Sequence, residues 1–143
     1  MVDDVLVSKA RSIERCLQRI NEDYCGYENE IDTNFTRRDA IILNLQRACE
    51  ASIDAAMRVV RLNKLGVPEE SRAAFELLEE NGIIPVDLSK QLKKMVGFRN
   101  IAIHDYQKID TEILKSILDN HLNEFREFVK VLLSFEDLVE RRK

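Results

Sequence analysis

Ile41-Ile42-Leu43-Asn44-Leu45-Gln46-Arg47-Ala48-Cys49-Glu50-Ala51-Ser52-Ile53-Asp54-Ala55-Ala56-Met57-Arg58-Val59-Val60 is the stretch that decides the fold class. Within it Ile42, Leu45, Cys49, Ile53, Ala56 and Val60 recur every three or four positions, which sets one apolar stripe along an α-helix. This is the strongest periodic signal in the chain. Just upstream, Thr36 and Asp39 have the spacing of a capping box, with Phe35 placed to pack on the first turn. The helix is therefore expected from there to about Lys64.

Outward from that helix the same spacing recurs. Gly26 to Asn34 is polar and reads as a loop. Before it, a first helix is expected from about Val2 to Asp23, with Leu6, Ile13, Leu17, Ile20 and Tyr24 on one face. Gly66 and Pro68 stop the second helix and allow a third, from about Ser71 to Glu80, which buries Phe75 and Leu78 and ends at Asn81-Gly82. Pro85 or Asp87 opens a fourth, with Leu88, Leu92 and Met95 inward, running to about Ile103. Asp110 is the expected N-cap of a fifth, whose stripe is Ile113, Ile117, Leu118, Leu122, Phe125, Val129 and Leu132. Only four glycines and two prolines punctuate the 143 residues. With no repeat, no low-complexity tract and no long linker, residues 1–143 read as one all-α domain, an antiparallel bundle of about five helices.

Composition excludes several function classes. A hydrophobic content of 45% is too high for a disordered acidic tail, and 34% charged residues is too high for a membrane-embedded chain. Asp3 and Asp4 stand where an export signal carries lysine or arginine. Cys16, Cys25 and Cys49 are an odd number without a C-x-x-C pair. They fit a reduced, cytoplasmic chain with neither a disulfide framework nor a zinc site, and Cys49 reads as a small core residue. A net charge of −4 argues against a general nucleic-acid coat protein while allowing a local basic site. There is no P-loop, no G-x-G-x-x-G, no H-E-x-x-H and no G-x-S-x-G, so neither a cofactor nor a metal is expected.

The chemistry concentrates near Gly97-Phe98-Arg99-Asn100-Ile101-Ala102-Ile103-His104-Asp105-Tyr106. His121, beside Asn120 and Asn123, has no evident acid–base partner at helical spacing and reads as structural. His104 lies at a helix end with Arg99, Asn100 and Tyr106 nearby, and an imidazole can take and return a proton at neutral pH. At about 100° per residue, Asn100 and His104 are ~40° apart, so the amide is placed to orient the imidazole. Arg99 and His104 are ~140° apart, and Arg99 and Tyr106 would be ~20° apart on a continued helix. Arg99 and His104 therefore converge only if the helix unwinds after Ile103, or if a second copy faces the first across a twofold axis. Leu88 to His104 holds no acidic residue, although 26 of the 143 residues are Asp or Glu. Lys90, Lys93, Lys94 and Arg99 lie in this stretch, marking a phosphate-facing surface; the plainer reading is a solvated lysine face. Gly97, which costs a helix about 1 kcal/mol, marks the close approach of a partner helix or of a substrate backbone.

Arg99-Asn100-Ile101-Ala102-Ile103-His104-Asp105-Tyr106 resembles the signature of the HEPN superfamily, arginine and a polar residue followed by histidine. Tyr106, one spacer further, is similar to the HepT toxins of bacterial and archaeal toxin–antitoxin pairs. The likeness extends to Ile42–Glu50 and to Leu92–Phe98, and covers most of the chain from about Phe35 to Phe125. It implies an all-helical homodimer that cuts RNA, tRNA or mRNA, without metal. His104 would then be the acid–base residue, Arg99 the stabiliser of phosphate charge and Asn100 a support. The resemblance also implies a nucleotidyltransferase antitoxin of the MntA type, which adds AMP to Tyr106. The rival expectation is a non-catalytic helical module that binds a nucleotidyltransferase and uses the same motif for docking.

Overall fold

The computed structural model describes residues 3–135, which form six α-helices and two short 3-10 turns. In order these are α1 (Asp4–Tyr24), a 3-10 turn (Glu28–Glu30), α2 (Phe35–Asn63), α3 (Ser71–Glu80), α4 (Val86–His104), a 3-10 turn (Tyr106–Lys108), α5 (Thr111–Asn120) and α6 (Leu122–Leu133). The bundle is built on the α1–α2 pair; α3 and α4 pack on α2, and α6 closes against α1 and α4. The α2 stripe fills the centre, where Ile42, Leu45, Cys49, Ile53, Ala56 and Val60 are buried beside Phe75, Phe125 and Phe128. Phe75 meets Phe128 edge-on with ring centroids 5.7 Å apart, a favourable aromatic geometry that joins α3 to α6.

The helix ends depart from expectation in three places, each for a local reason. Asn34, not Thr36, caps α2: its side-chain oxygen accepts the Arg37 N–H at 3.1 Å. Phe35 becomes the first helical residue and stays 70% exposed, so it does not staple the turn. Asp39 is thereby left free of capping duty. At the other end α2 stops at Asn63, close to the expected Lys64, but it is Lys64 and not Gly66 that ends it, taking the left-handed conformation (φ 52°, ψ 47°) while the Leu65 N–H reaches the Val60 carbonyl at 3.0 Å. A lysine pays a steric penalty there that glycine does not. Lys64→Gly should therefore raise stability by about 1 kcal/mol, read as a higher thermal midpoint. A lower midpoint would show that the lysine side chain makes a compensating contact.

The third departure is the break of the expected fifth helix at His121. The backbone there leaves helical geometry (φ −124°, ψ 7°), so the segment forms α5 and α6 instead of one rod. Asn120, His121 and Asn123 are weak helix formers, and the bend lets Leu122 and Phe125 enter the core. It also leaves Ile113, expected on the inner stripe, 57% exposed. His121 is not partnerless either, since its Nδ1 lies 3.1 Å from Glu124 Oε1 across the bend. Asp110 caps α5 as expected, accepting the Glu112 N–H at 2.8 Å. Val2, where the first helix was expected to begin, lies outside the described residues. Asp3 caps α1 and also pairs with Arg58 at 2.7 Å, and that guanidinium holds its carboxyl below the usual carboxylate range.

Candidate active site at the end of helix α4

α4 runs unbroken through Arg99 and ends with His104, after which Asp105 turns the chain into the Tyr106–Lys108 turn. Helical geometry therefore holds over the whole Arg99–His104 interval, and the two side chains leave the helix on nearly opposite sides. Unwinding after Ile103 does not occur. Arg99 and Tyr106 both face α2. Along α2, Asp39, Leu43, Gln46 and Glu50 follow one another at helical spacing, and the two ends of this stripe touch the two residues.

At one end, Glu50 Oε1 lies 3.8 Å from Arg99 Nε, close enough for charge attraction but too far for a hydrogen bond. That Nε is buried and has no hydrogen-bond partner among the described residues. Gln46 donates to the same Glu50 oxygen at 3.0 Å and steadies it. Arg99 Nη1 donates to Asn100 Oδ1 at 3.1 Å. Asn100 therefore holds the arginine, not the imidazole as its spacing suggested.

At the other end, the Tyr106 phenol donates to Asp39 Oδ1. Arg38, the next residue, donates to Thr111 Oγ1 at 2.7 Å and to the Ile109 carbonyl at 3.4 Å. The first turns of α2 thus grip the connector from α4 to α5. Partial burial and the Asp39 carboxylate push the Tyr106 hydroxyl up to about 12, yet the residue remains 41% exposed. His104 is exposed and makes no hydrogen bond or ion pair among the described residues.

The lysines divide. Lys93 turns to α3, where its Nζ lies 3.8 Å from Glu76 and 3.9 Å from Glu79, so its charge is already answered and it does not belong to a phosphate-facing surface. Lys90 is exposed, and Lys94 lines a groove of about 360 Å³ between α4 and α5 with Met95, Phe98, Ile101, Ile113 and Ile117. A Cβ at Gly97 would come within 2.9 Å of an Arg72 guanidinium nitrogen, the end of a flexible side chain that can move aside, so this contact does not require the glycine. Arg72 is exposed and donates to the Lys93 carbonyl at 3.3 Å, which brings a cation onto the helical face shared by Gly97, Asn100 and His104. Sequence reading missed Arg72, Asp39 and Glu50. Only the polar spacing along α2 pointed to the last two, and nothing local pointed to Arg72. Among the described residues no group of three His, Cys, Asp or Glu could hold a metal ion, and no helix is long and apolar enough to cross a membrane.

A helical bundle presenting Arg-Asn-x-x-x-His at the end of one helix defines a HEPN-type protein. The ribonuclease HepT-like family profile matches residues 13–132, and the chain belongs to that family. It is 44% identical over 131 residues to the mRNA nuclease HepT of Shewanella oneidensis, covering 92% of this chain and 98% of that one. Among solved structures, a toxin–antitoxin complex with AMP-PNP superposes with a TM-score of 0.88 at 42% identity, over 92% of this chain and 99% of the other. The tri-AMPylated Shewanella oneidensis HEPN toxin in complex with its MNT antitoxin gives 0.88 at 43% identity, over 93% and 99%.

Proposed function

We propose that this chain is the toxin of a toxin–antitoxin pair, a cytoplasmic endoribonuclease that cuts mRNA or tRNA as a homodimer. Its partner in this reading is an MntA-like nucleotidyltransferase that silences it by adding AMP to Tyr106. One observation carries the catalytic part: Arg99 is held by Glu50 and Asn100, while His104, on the same helix, is exposed and uncommitted. The reaction such groups support is transesterification. A neutral imidazole takes the ribose 2′-OH proton, the oxygen attacks the adjacent phosphorus, and an imidazolium protonates the leaving 5′-oxygen. A guanidinium stabilises the charge gathering on the phosphate. Acid and base are then the two His104 side chains of a dimer, since one chain offers a single suitable histidine and α4 aims it away from its own Arg99. Lys94 and Lys90, with Arg72, supply further positive charge for the RNA backbone.

The surface that brings two copies together is best sought between α4 and α5. The small residues of α2 are used inside the bundle: Ala48, Ala51, Ala55 and Ala56 are buried within one chain. Ile101, 44% exposed, and Ile113 instead flank the α4–α5 groove within a turn of the site. Sedimentation at micromolar concentration should give a species of twice the 16.6 kDa chain mass, and Ile101→Glu should yield monomers that no longer cut RNA. A wild-type protein that sediments as a monomer would remove the two-histidine mechanism. The reaction class is tested with end-labelled RNA in excess chelator. Cleavage should persist, leave a 2′,3′-cyclic phosphate, and fail where the 2′-OH at the cut position is replaced by hydrogen. A protein that binds the transferase yet cuts no RNA would be a docking module instead.

A further inference from the structure

We infer that Asp39 is the proton acceptor for AMP transfer onto Tyr106, so that the toxin chain supplies the base for its own modification. The inference rests on the reading of Tyr106 as the modified residue and extends it to a second residue on a different helix. Four observations lead there. The Tyr106 hydroxyl already donates to Asp39 Oδ1, so the proton to be removed points at a carboxylate before any transferase arrives. The phenol remains accessible at the surface of the α4–α5 connector. Asp39 is not occupied in capping α2, because Asn34 performs that task. The connector is held against Asp39 by its neighbour Arg38, which fixes the geometry from both sides of Thr111 and Ile109.

The chemistry needs such a group. A phenol that loses its proton only near pH 12 is almost wholly neutral at pH 7, and neutral phenols are poor nucleophiles. The charged groups facing it are Asp39 and Arg38 from α2; Asp105 and Lys108, in its own turn, pair with each other at 3.2 Å. Of these, only Asp39 is in contact with the hydroxyl. In the step itself the phenolic oxygen bonds to the α-phosphorus of ATP. The bond from that phosphorus to the bridging oxygen of the β-phosphate breaks, and pyrophosphate leaves. The phenolic proton passes to Asp39 Oδ1 and from there to water. Once AMP is attached, the donor is gone and a phosphodiester anion stands beside the Asp39 carboxylate. Repulsion between the two anions favours an adduct turned away from Asp39.

Asp39→Asn tests the base separately from the hydrogen bond, because the amide oxygen still accepts the phenolic O–H while no longer taking its proton. With the cognate nucleotidyltransferase and α-labelled ATP, AMP incorporation into this variant at pH 7 should be slower than wild type by about 10²-fold or more. The ratio of variant to wild type, measured at each pH to cancel the transferase's own profile, should rise about tenfold per pH unit as the phenol ionises unaided. Asp39→Glu should recover part of the lost rate. Circular dichroism of both variants confirms that α2 is intact. An Asp39→Asn rate equal to wild type at pH 7 overturns the assignment, and so does a slow rate that alkali does not rescue. Failure of the underlying reading is distinguishable: wild type would then take up no AMP, or Tyr106→Phe would take it up as readily as wild type.

Discussion

His104→Ala and Arg99→Ala should each abolish RNA cleavage and growth inhibition while leaving the helical circular dichroism unchanged. The expected loss is large because in the proposed homodimer a single substitution removes both copies of the side chain, and thus both acid and base. General acid–base help is worth about 10²–10⁴-fold for each role, so losing both lowers the rate by about 10⁴-fold or more. Arg99→Ala removes a positioned cation from the phosphate, an effect of about 3–4 kcal/mol on the transition state. Neither change threatens the fold. The His104 side chain makes no hydrogen bond or ion pair among the described residues, and Arg99 gives up its bond to Asn100 and a partly exposed ion pair of the kind worth about 0–1 kcal/mol. His121→Ala is the internal control. It breaks the contact with Glu124 at the α5–α6 bend and should cost a little stability, with cleavage close to wild type. Mixed dimers sharpen the test, since one wild-type and one His104→Ala chain cannot supply acid and base together. Inactive His121→Ala beside active His104→Ala would mean that the wrong histidine has been assigned.

Tyr106→Phe should escape AMP addition and remain toxic in the presence of the antitoxin. The substitution keeps the ring and deletes the hydroxyl, at a cost of about 1 kcal/mol for the lost bond to Asp39. The structure offers good controls among the three tyrosines. Tyr24 is buried and its hydroxyl is committed to Asp119 at 2.7 Å, with burial pushing its ionisation further upward. Tyr27 is exposed, but its ring lies under the Arg37 guanidinium, 3.6 Å from the centroid, and among the described residues no carboxylate accepts its hydroxyl. Intact-mass measurement after co-expression with the transferase should therefore show AMP on wild type and on Tyr27→Phe, and none on Tyr106→Phe. Equal AMP uptake by all three proteins would place the modification elsewhere. No uptake by any of them would point to inhibition by protein contact alone.

The two histidines show how far local reasoning reaches. His104 was separable from His121 because arginine and asparagine precede it in a recognisable pattern, and no such company surrounds His121. The partner of Arg99 was not legible in the same way. Glu50 is one of 26 acidic residues, and only the packing of α4 on α2 selects it. Lys93 errs in the opposite direction. Its neighbours in sequence are basic, but its neighbours in space are Glu76 and Glu79, on a helix that the local charge pattern does not include.

By itself, the sequence determined the all-α class, the bounds of α3, the cap of α5 and the core stripe of α2. These follow from interactions within about one helical turn, where periodicity, capping oxygens and breakers act directly on the backbone. It also singled out the segment proposed to bear the chemistry, since Arg99, Asn100, His104 and Tyr106 are close along the chain. Tertiary structure alone decided the pairing of Asp39 with Tyr106 and of Glu50 with Arg99. Those contacts join residues about 50 to 70 positions apart, and they depend on which faces α2 and α4 turn to one another. That orientation is set by the whole bundle minimising exposed apolar surface, and no local pattern encodes it.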